Sequence, residues 1–142
     1  MFKRIFAAFL LMISVPAFAS RLAVLTDPPP IQVPSGLSND QIAKAIIAGM
    51  DKRHWTAESS KPGEIVAVQA PRDVVAKVKI AYDSKTITIS YFDSTNFLYE
   101  EHDGKREIHE KYNSWVTNLS KDIQDSLAAG SAMSQAAPSS SK

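Results

Sequence analysis

The chain has 142 residues, no cysteine and a formal net charge of +1. The lack of cysteine excludes disulfides, thiol catalysis and cysteine metal ligands, so packing alone must stabilise the fold. A chain this close to neutrality has no electrostatic drive toward nucleic acid or anionic lipid, and we expect no nucleic-acid partner.

Residues 1–19 have the pattern of a signal peptide. Lys3 and Arg4 form a positive start, and residues 5–15 are an almost unbroken apolar run. Ala17-Phe18-Ala19 then has the small-x-small pattern of a signal peptidase site. Because the run is shorter than the roughly 20 residues of a spanning helix, a membrane anchor is the poorer interpretation. We predict cleavage after Ala19, a periplasmic location, and a mature chain of formal charge −1 with no stable membrane span.

Two segments are predicted to be unstructured and to flank a single domain over residues 37–129. Residues 20–36 are rich in proline, which favours extended backbone and opposes helix, and are interpreted as a linker. Residues 130–142 are mostly serine and alanine and can bury too little apolar surface to repay ordering, so a disordered tail is expected.

The first element of the domain is predicted to be a helix. Ser38 and Gln41 have the spacing of a capping box. Ile42, Ile46 and Met50 then recur at helical spacing, which indicates one apolar face. Trp55, which follows this helix, is expected to fold back onto the core.

Alternating apolar residues predict three strands, over residues 64–70, 74–82 and 86–92. Strands with one apolar and one polar face are typical of an antiparallel sheet that is covered on one side. Residues 93–96 read as a polar turn, and residues 97–101 as a possible fourth strand. The polar face of this sheet is the one broad surface that offers polar groups for binding, and plain solvent exposure is favoured over binding there. Its members are Lys77, Lys79, Thr86, Thr88 and Ser90.

A long helix is predicted from Ile108 to the end of the domain. The apolar positions that fall on one face at about 100° per residue are Ile108, Tyr112, Trp115, Val116, Leu119, Ile123 and Leu127. The expected fold class is therefore α+β in two layers, with an N-terminal helix, a three- to four-stranded antiparallel meander and a long C-terminal helix packed on one sheet face.

The segment IHEKYNSW, residues 108–115, holds the densest group of chemically capable side chains. His109 falls at the edge of the apolar stripe, where a packed rim residue is the more common role. A metal site built from His102, Glu107, His109 and Glu110 is not favoured, because two histidines on one helical face should be three or four residues apart. Ser94 lacks a glycine elbow and a base, so no nucleophile is indicated.

The order of residues resembles a family of small proteobacterial envelope proteins without an assigned function, many of which are predicted lipoproteins. The resemblance rests on A-x-V-x-I-x-Y-D (76–83), I-x-I-x-Y-x-D-S-x-N (87–96) and I-H-x-x-Y-N-x-W-V-x-N-L (108–119). It implies a Gram-negative envelope location, and the missing lipidation cysteine implies a soluble periplasmic form. The family pattern includes polar residues beside core residues, and these would form a hydrogen-bonded cluster between the strand-end turn and the helix. They are the candidate binding residues Ser94, Asn96, His109, Tyr112 and Asn113.

The functional hypothesis is an exported, non-enzymatic interaction or binding module of the cell envelope, with an envelope protein or cell-wall component as partner. No catalytic residue, cofactor or metal is predicted. One alternative is a small-ligand-binding or enzymatic protein with its site around His109, Tyr112 and Asn113. A second alternative is a histidine-based metal binder.

Overall fold

The structure is a computed structural model that describes residues 21–136. The predicted signal peptide and its cleavage site after Ala19 lie outside the described residues, as do residues 137–142. The fold is α+β, with two antiparallel sheets and a long C-terminal helix. The elements are β1 (Leu22–Val24), β2 (Ile31–Gln32), α1 (Asn39–Asp51), β3 (Thr56–Lys61), β4 (Glu64–Gln69), β5 (Val75–Tyr82), β6 (Thr86–Thr95), β7 (Glu100–His102), β8 (Lys105–His109) and α2 (Glu110–Ala136).

α1 begins at the capping box that the sequence predicts. The Ser38 hydroxyl accepts a hydrogen bond from the Gln41 backbone N–H at 3.2 Å, and the Gln41 side chain accepts one from the Ser38 N–H at 2.8 Å. Each bond satisfies a backbone donor that the first helical turn would otherwise leave unpaired. Trp55 is buried, as predicted, with 1% of its surface exposed.

The larger sheet has five strands in the order β2-β6-β5-β4-β3. The predicted alternation is confirmed at its centre, where Ile80 pairs with both Ile65 and Ile89 and all three side chains are buried. β6 continues to Thr95 through a register shift, so Asp93 lies in a strand and not in the predicted turn. The larger sheet therefore has more strands than the predicted meander of three or four. The sequence analysis missed β3, because TAESSK is an edge strand of mostly exposed polar side chains and has no apolar alternation.

Residues 20–36 are not the predicted unstructured linker over their described part. β1 pairs with β8, and β2 pairs with β6. Leu25 and Ile31 are buried in the core at 5% and 4% exposure. Proline opposes helix but is compatible with short edge strands, so the apolar residues between the prolines can still dock against the domain.

The smaller sheet has the order β1-β8-β7 and contains two residues that were predicted to begin the last helix. Ile108 and His109 are the last residues of β8, and α2 begins at Glu110. The possible fourth strand over residues 97–101 is also wrong as part of the meander, because Glu100 and Glu101 belong to β7 of this smaller sheet. Local periodicity missed the β7–β8 hairpin, although the Asp103-Gly104 turn, with both φ angles positive, is a hairpin signal.

α2 buries most of the predicted apolar stripe. Trp115 is half-buried and Ile108 is buried in β8, whereas the buried hydrophobic side chains of the helix are Tyr112, Val116, Leu119, Ile123 and Leu127. These side chains join those of α1 and the larger sheet in one core cluster. The prediction ended this helix with the domain at Ala129, but the helix continues to Ala136. Alanine has the highest helix propensity, and residues 128–137 contain no proline, so the helix extends past its last buried side chain.

α1 and α2 pack closely together at Gly49. A Cβ atom at Gly49 would lie 2.7 Å from Ile123 Cγ1 and 2.8 Å from the Ile123 Cα and N atoms. Two residues after α1 ends, the Arg53 guanidinium donates to the Asp122 carboxylate at 2.6 Å. The absence of a side chain at Gly49 is therefore what lets the two helix backbones meet.

Candidate functional site

His109 caps α2. Its Nδ1 atom accepts a hydrogen bond from the Lys111 backbone N–H at 3.1 Å, and its own backbone N–H donates to the Phe97 carbonyl at 2.8 Å. The side chain thus satisfies one of the free N–H groups of the first helical turn, as serine or asparagine does at other N-caps. This bond requires an unprotonated Nδ1, and it gives the ring a structural task.

Asn113 attaches the N-terminal segment to α2. Its Nδ2 atom donates to the Val24 carbonyl at 2.9 Å, and its Oδ1 atom accepts from the Thr26 N–H at 3.2 Å. The Asn113 amide therefore bonds to one backbone carbonyl and one backbone N–H near the end of β1. The contact spans more than 80 positions of sequence and holds the segment that was predicted to be a linker.

Ser94 and Asn96 bond to different neighbours. The Ser94 hydroxyl lies 2.9 Å from the Tyr91 hydroxyl, and the Asn96 amide donates to the Asp73 carbonyl at 2.7 Å. Asn96 has a φ of +58°, a left-handed conformation that asparagine tolerates better than most residues. Ser94 therefore forms its contact within β6, and Asn96 fixes the chain between β6 and β7.

Tyr112 is buried at the centre of an aromatic cluster. Its ring packs edge-to-face on Tyr91 and on Phe97, with ring centroids 5.5 and 6.1 Å away. The Tyr112 hydroxyl is buried and has no hydrogen-bond partner among the described residues. Burial raises the pKa of this hydroxyl, and the nearby Asp27 carboxylate raises it further. A group that is this hard to ionise is unsuited to act as a base.

The five predicted site residues do not form the single hydrogen-bonded cluster that the family pattern suggests. Only Asn96 and His109 line a common cleft, which has a volume of about 160 Å³ and is completed by Lys111, Trp115 and two apolar neighbours. Ser94 and Asn113 lie outside its lining. The polar atoms that made this region conspicuous in the sequence are mostly paired with other parts of the chain.

Residues 21–136 contain no group of three or more His, Asp or Glu side chains placed to hold a metal ion. The members of the hypothetical metal site take part in separate contacts: His102 lies 3.6 Å from Glu100, Glu107 pairs with Lys105 at 2.8 Å, and Glu110 lies 3.6 Å from Arg21. The fourth member, His109, caps α2.

The two lysines on the exposed face of the larger sheet both contact other side chains of the protein. Lys77 pairs with Glu58 at 2.7 Å, and this hydrogen bond raises the pKa of the Lys77 ammonium group. Lys79 Nζ lies 5.5 Å from the centroid of the Phe92 ring, in the range of a cation–π contact. The face therefore presents few free charges for a ligand.

A further concave surface lies elsewhere, between α1 and α2. We call it the interhelical groove, and its volume is about 670 Å³. Its lining residues are Gln41, Lys44, Ala45, Ala48 and Lys52 of the α1 side, and Asp125, Ser126, Ala129, Gly130, Met133 and Ser134 of α2. Sequence reasoning missed it because half of its α2 side falls in the predicted tail, although Ala129 and Met133 continue the helical spacing.

The interhelical groove is apolar at its base and charged at its rim. Met133 is 75% exposed, the most exposed large hydrophobic side chain among the described residues. Lys44 and Lys52 lie on the α1 rim, and Asp125 lies on the α2 rim. Apolar surface framed by charge is typical of a contact surface for another macromolecule.

No protein-family model, curated protein or solved structure matches the chain. The resemblance to envelope proteins therefore stays a prediction from the sequence pattern. Over residues 21–136, neither helix combines the length and the apolar character that crossing a membrane requires.

Proposed function

We propose that the protein is an exported, non-enzymatic interaction module of the bacterial cell envelope, which acts in the periplasm and docks a protein partner in the interhelical groove. The observation that carries the proposal is a contrast. The conspicuous polar side chains form internal hydrogen bonds, whereas the interhelical groove is mostly apolar and exposes Met133.

Export and the envelope location rest on the signal-peptide pattern and on the family resemblance. The proposal includes the two-layer arrangement, in which α1 and α2 cover one face of the larger sheet and leave the groove on their outer side. The single core cluster shared by both helices and the sheet supports this arrangement.

The alternative of a small-ligand or enzymatic site has one supporting feature, the 160 Å³ cleft beside His109 and Asn96. It is the weaker proposal because the His109 Nδ1 atom and the Asn96 amide are already bonded to the backbone. A histidine-based metal site has less support still, because its ligands are spread over separate ion pairs.

Site-specific photo-crosslinking in cells tests the proposed module. A photoreactive residue replaces Ala48 in the groove or, as the matched control, Ala81 on the exposed face of the larger sheet; both alanines are exposed. We expect a discrete crosslinked protein from Ala48 in the periplasmic fraction and none from Ala81. Crosslinks from Ala81 alone would move the contact surface to the sheet, and a chain retained in the cytoplasm would refute export.

A further inference from the structure

We propose that the occupant of the interhelical groove is a second copy of this chain, so that α1 and α2 of two protomers form a symmetric four-helix interface. This inference rests on the proposed function, because it names the partner of the same groove. Three independent features support it.

The first feature is the uncovered end of α2. Leu127 is the last buried residue of the helix, yet the helix continues for nine more residues to Ala136. Gly130, Ser131 and Ser134 have weaker helix propensity than the alanines around them, so packing from outside would stabilise this end of α2 further. A second helix pair lying across the groove supplies this packing and covers Met133, whose flexible side chain suits an interface.

The second feature is the distribution of charge along the groove. Arg53 of the α1 side pairs with Asp122 of α2. Lys52 is the residue before Arg53, and Asp125 lies about one helical turn after Asp122, so Lys52 and Asp125 lie at the same end of the groove. In a homodimer the two groove surfaces must be self-complementary. A two-fold axis along the groove places Lys52 of one protomer opposite Asp125 of the other, and does so twice.

The alternative symmetric arrangement is disfavoured by the same charges. A two-fold axis across the groove would lay α1 on the α1 helix of the other copy, and the rim lysines Lys44 and Lys52 would face each other. Like charges in close contact oppose association. The charge pattern therefore favours α1 against the second copy's α2.

The third feature is the net charge. The full chain is formally +1, and the chain without residues 1–19 is −1. Two copies therefore experience almost no overall repulsion, and a near-neutral chain with an exposed apolar groove is prone to self-association.

Sedimentation equilibrium of the purified full-length mature chain tests the dimer. We expect a reversible monomer–dimer equilibrium at concentrations up to the order of 100 µM, the range of a modest interface. Ala129→Glu and Met133→Glu place a carboxylate in the groove at exposed positions, and each should weaken dimerisation more than about tenfold with an unchanged circular dichroism spectrum. Thr88→Glu, on the exposed face of the larger sheet, is the matched control and should leave the equilibrium unchanged.

A charge-swap experiment tests the pairing. Lys52→Glu alone and Asp125→Lys alone should each weaken the dimer about three- to tenfold, and the double variant should restore it. A dimer that ignores the groove variants, or a double variant that stays as weak as the singles, would overturn the inference. A strictly monomeric chain whose Ala48 crosslinks to a different periplasmic protein would refute the dimer and leave the proposed function intact, whereas a monomer without Ala48 crosslinks would refute both.

Discussion

The two parts of α2 differ in what their side chains contact. From the His109 cap to Leu127, the helix is held by a side-chain cap, the Asn113 amide contacts and a buried apolar stripe. From Ala128 to Ala136 no residue is fully buried, and the largest apolar side chain, Met133, is exposed. The first part therefore serves the fold, and the second part leaves surface for a partner. The chemically richest residues belong to the part that serves the fold.

The largest expected effect comes from adding one methyl group to a glycine in each region. Gly49→Ala should destabilise the fold by about 1–3 kcal/mol, because its Cβ would overlap the Ile123 backbone and force the helices apart. Gly130→Ala should instead stabilise the fold by about 0.5–1 kcal/mol, since nothing lies within 4 Å of the new atom and alanine favours helix.

Urea unfolding of both glycine variants, at concentrations low enough to keep the chain monomeric, measures this difference. Equal and small effects at the two glycines would remove the distinction between a closed crossing and an open groove.

Removal of the Tyr112 hydroxyl tests how tightly the first part of α2 is sealed. Tyr112→Phe should stabilise the fold at neutral pH by about 1–2 kcal/mol, because the buried hydroxyl has no partner among the described residues. Burial raises the pKa of this tyrosine in the folded state above its unfolded value of about 10. Above pH 10 the unfolded chain therefore loses the Tyr112 proton more readily than the folded chain, and the free energy of unfolding falls as the pH rises.

Above pH 10 the wild-type chain should therefore lose up to about 1.4 kcal/mol per pH unit more than Tyr112→Phe, as followed by chemical unfolding at several pH values. Tyr99→Phe, a partly buried tyrosine beside the same cluster, is the matched control and should leave most of the slope in place. Parallel pH profiles for wild type and Tyr112→Phe would show that Tyr112 reaches water.

The smallest effect is expected at the His109 cap. His109→Ala should cost about 1 kcal/mol, because it leaves the Lys111 N–H without its acceptor, and His109→Asn should recover most of the loss. Thermal unfolding of the two variants measures the difference. If the asparagine variant is as stable as wild type but an activity disappears, the small-ligand proposal replaces the structural role of His109.

Local patterns predicted the parts of the fold that neighbours in sequence determine. The Ser38–Gln41 capping box involves residues three apart, and the pairing of Ile80 with Ile89 follows from period-two alternation around a short turn. The α2 stripe from Tyr112 to Leu127 follows from helical spacing alone. Each of these features depends on the backbone period, which the order of residues reveals directly.

The five candidate binding residues are held in arrangements that the sequence did not predict, and the interhelical groove contains none of them. His109 lies in a strand because β8 pairs with β1 and β7, and it then caps the helix that follows. Asn113 pairs with backbone groups at Val24 and Thr26, which are more than 80 positions away in the chain. No local period encodes such distant partners, so residues that suggested a site in the sequence proved to hold separate segments together.

The sequence by itself determined the period of each main strand and helix, the apolar faces they bury and the capping of α1, because these depend on residues within a few positions of one another. The tertiary structure alone decided that residues 21–36 dock against the sheets, that Gly49 is the crossing point of α1 and α2, and that a groove opens beyond it. The physical reason is that close packing and the groove depend on two helices being brought together by a core to which residues from nearly every element contribute.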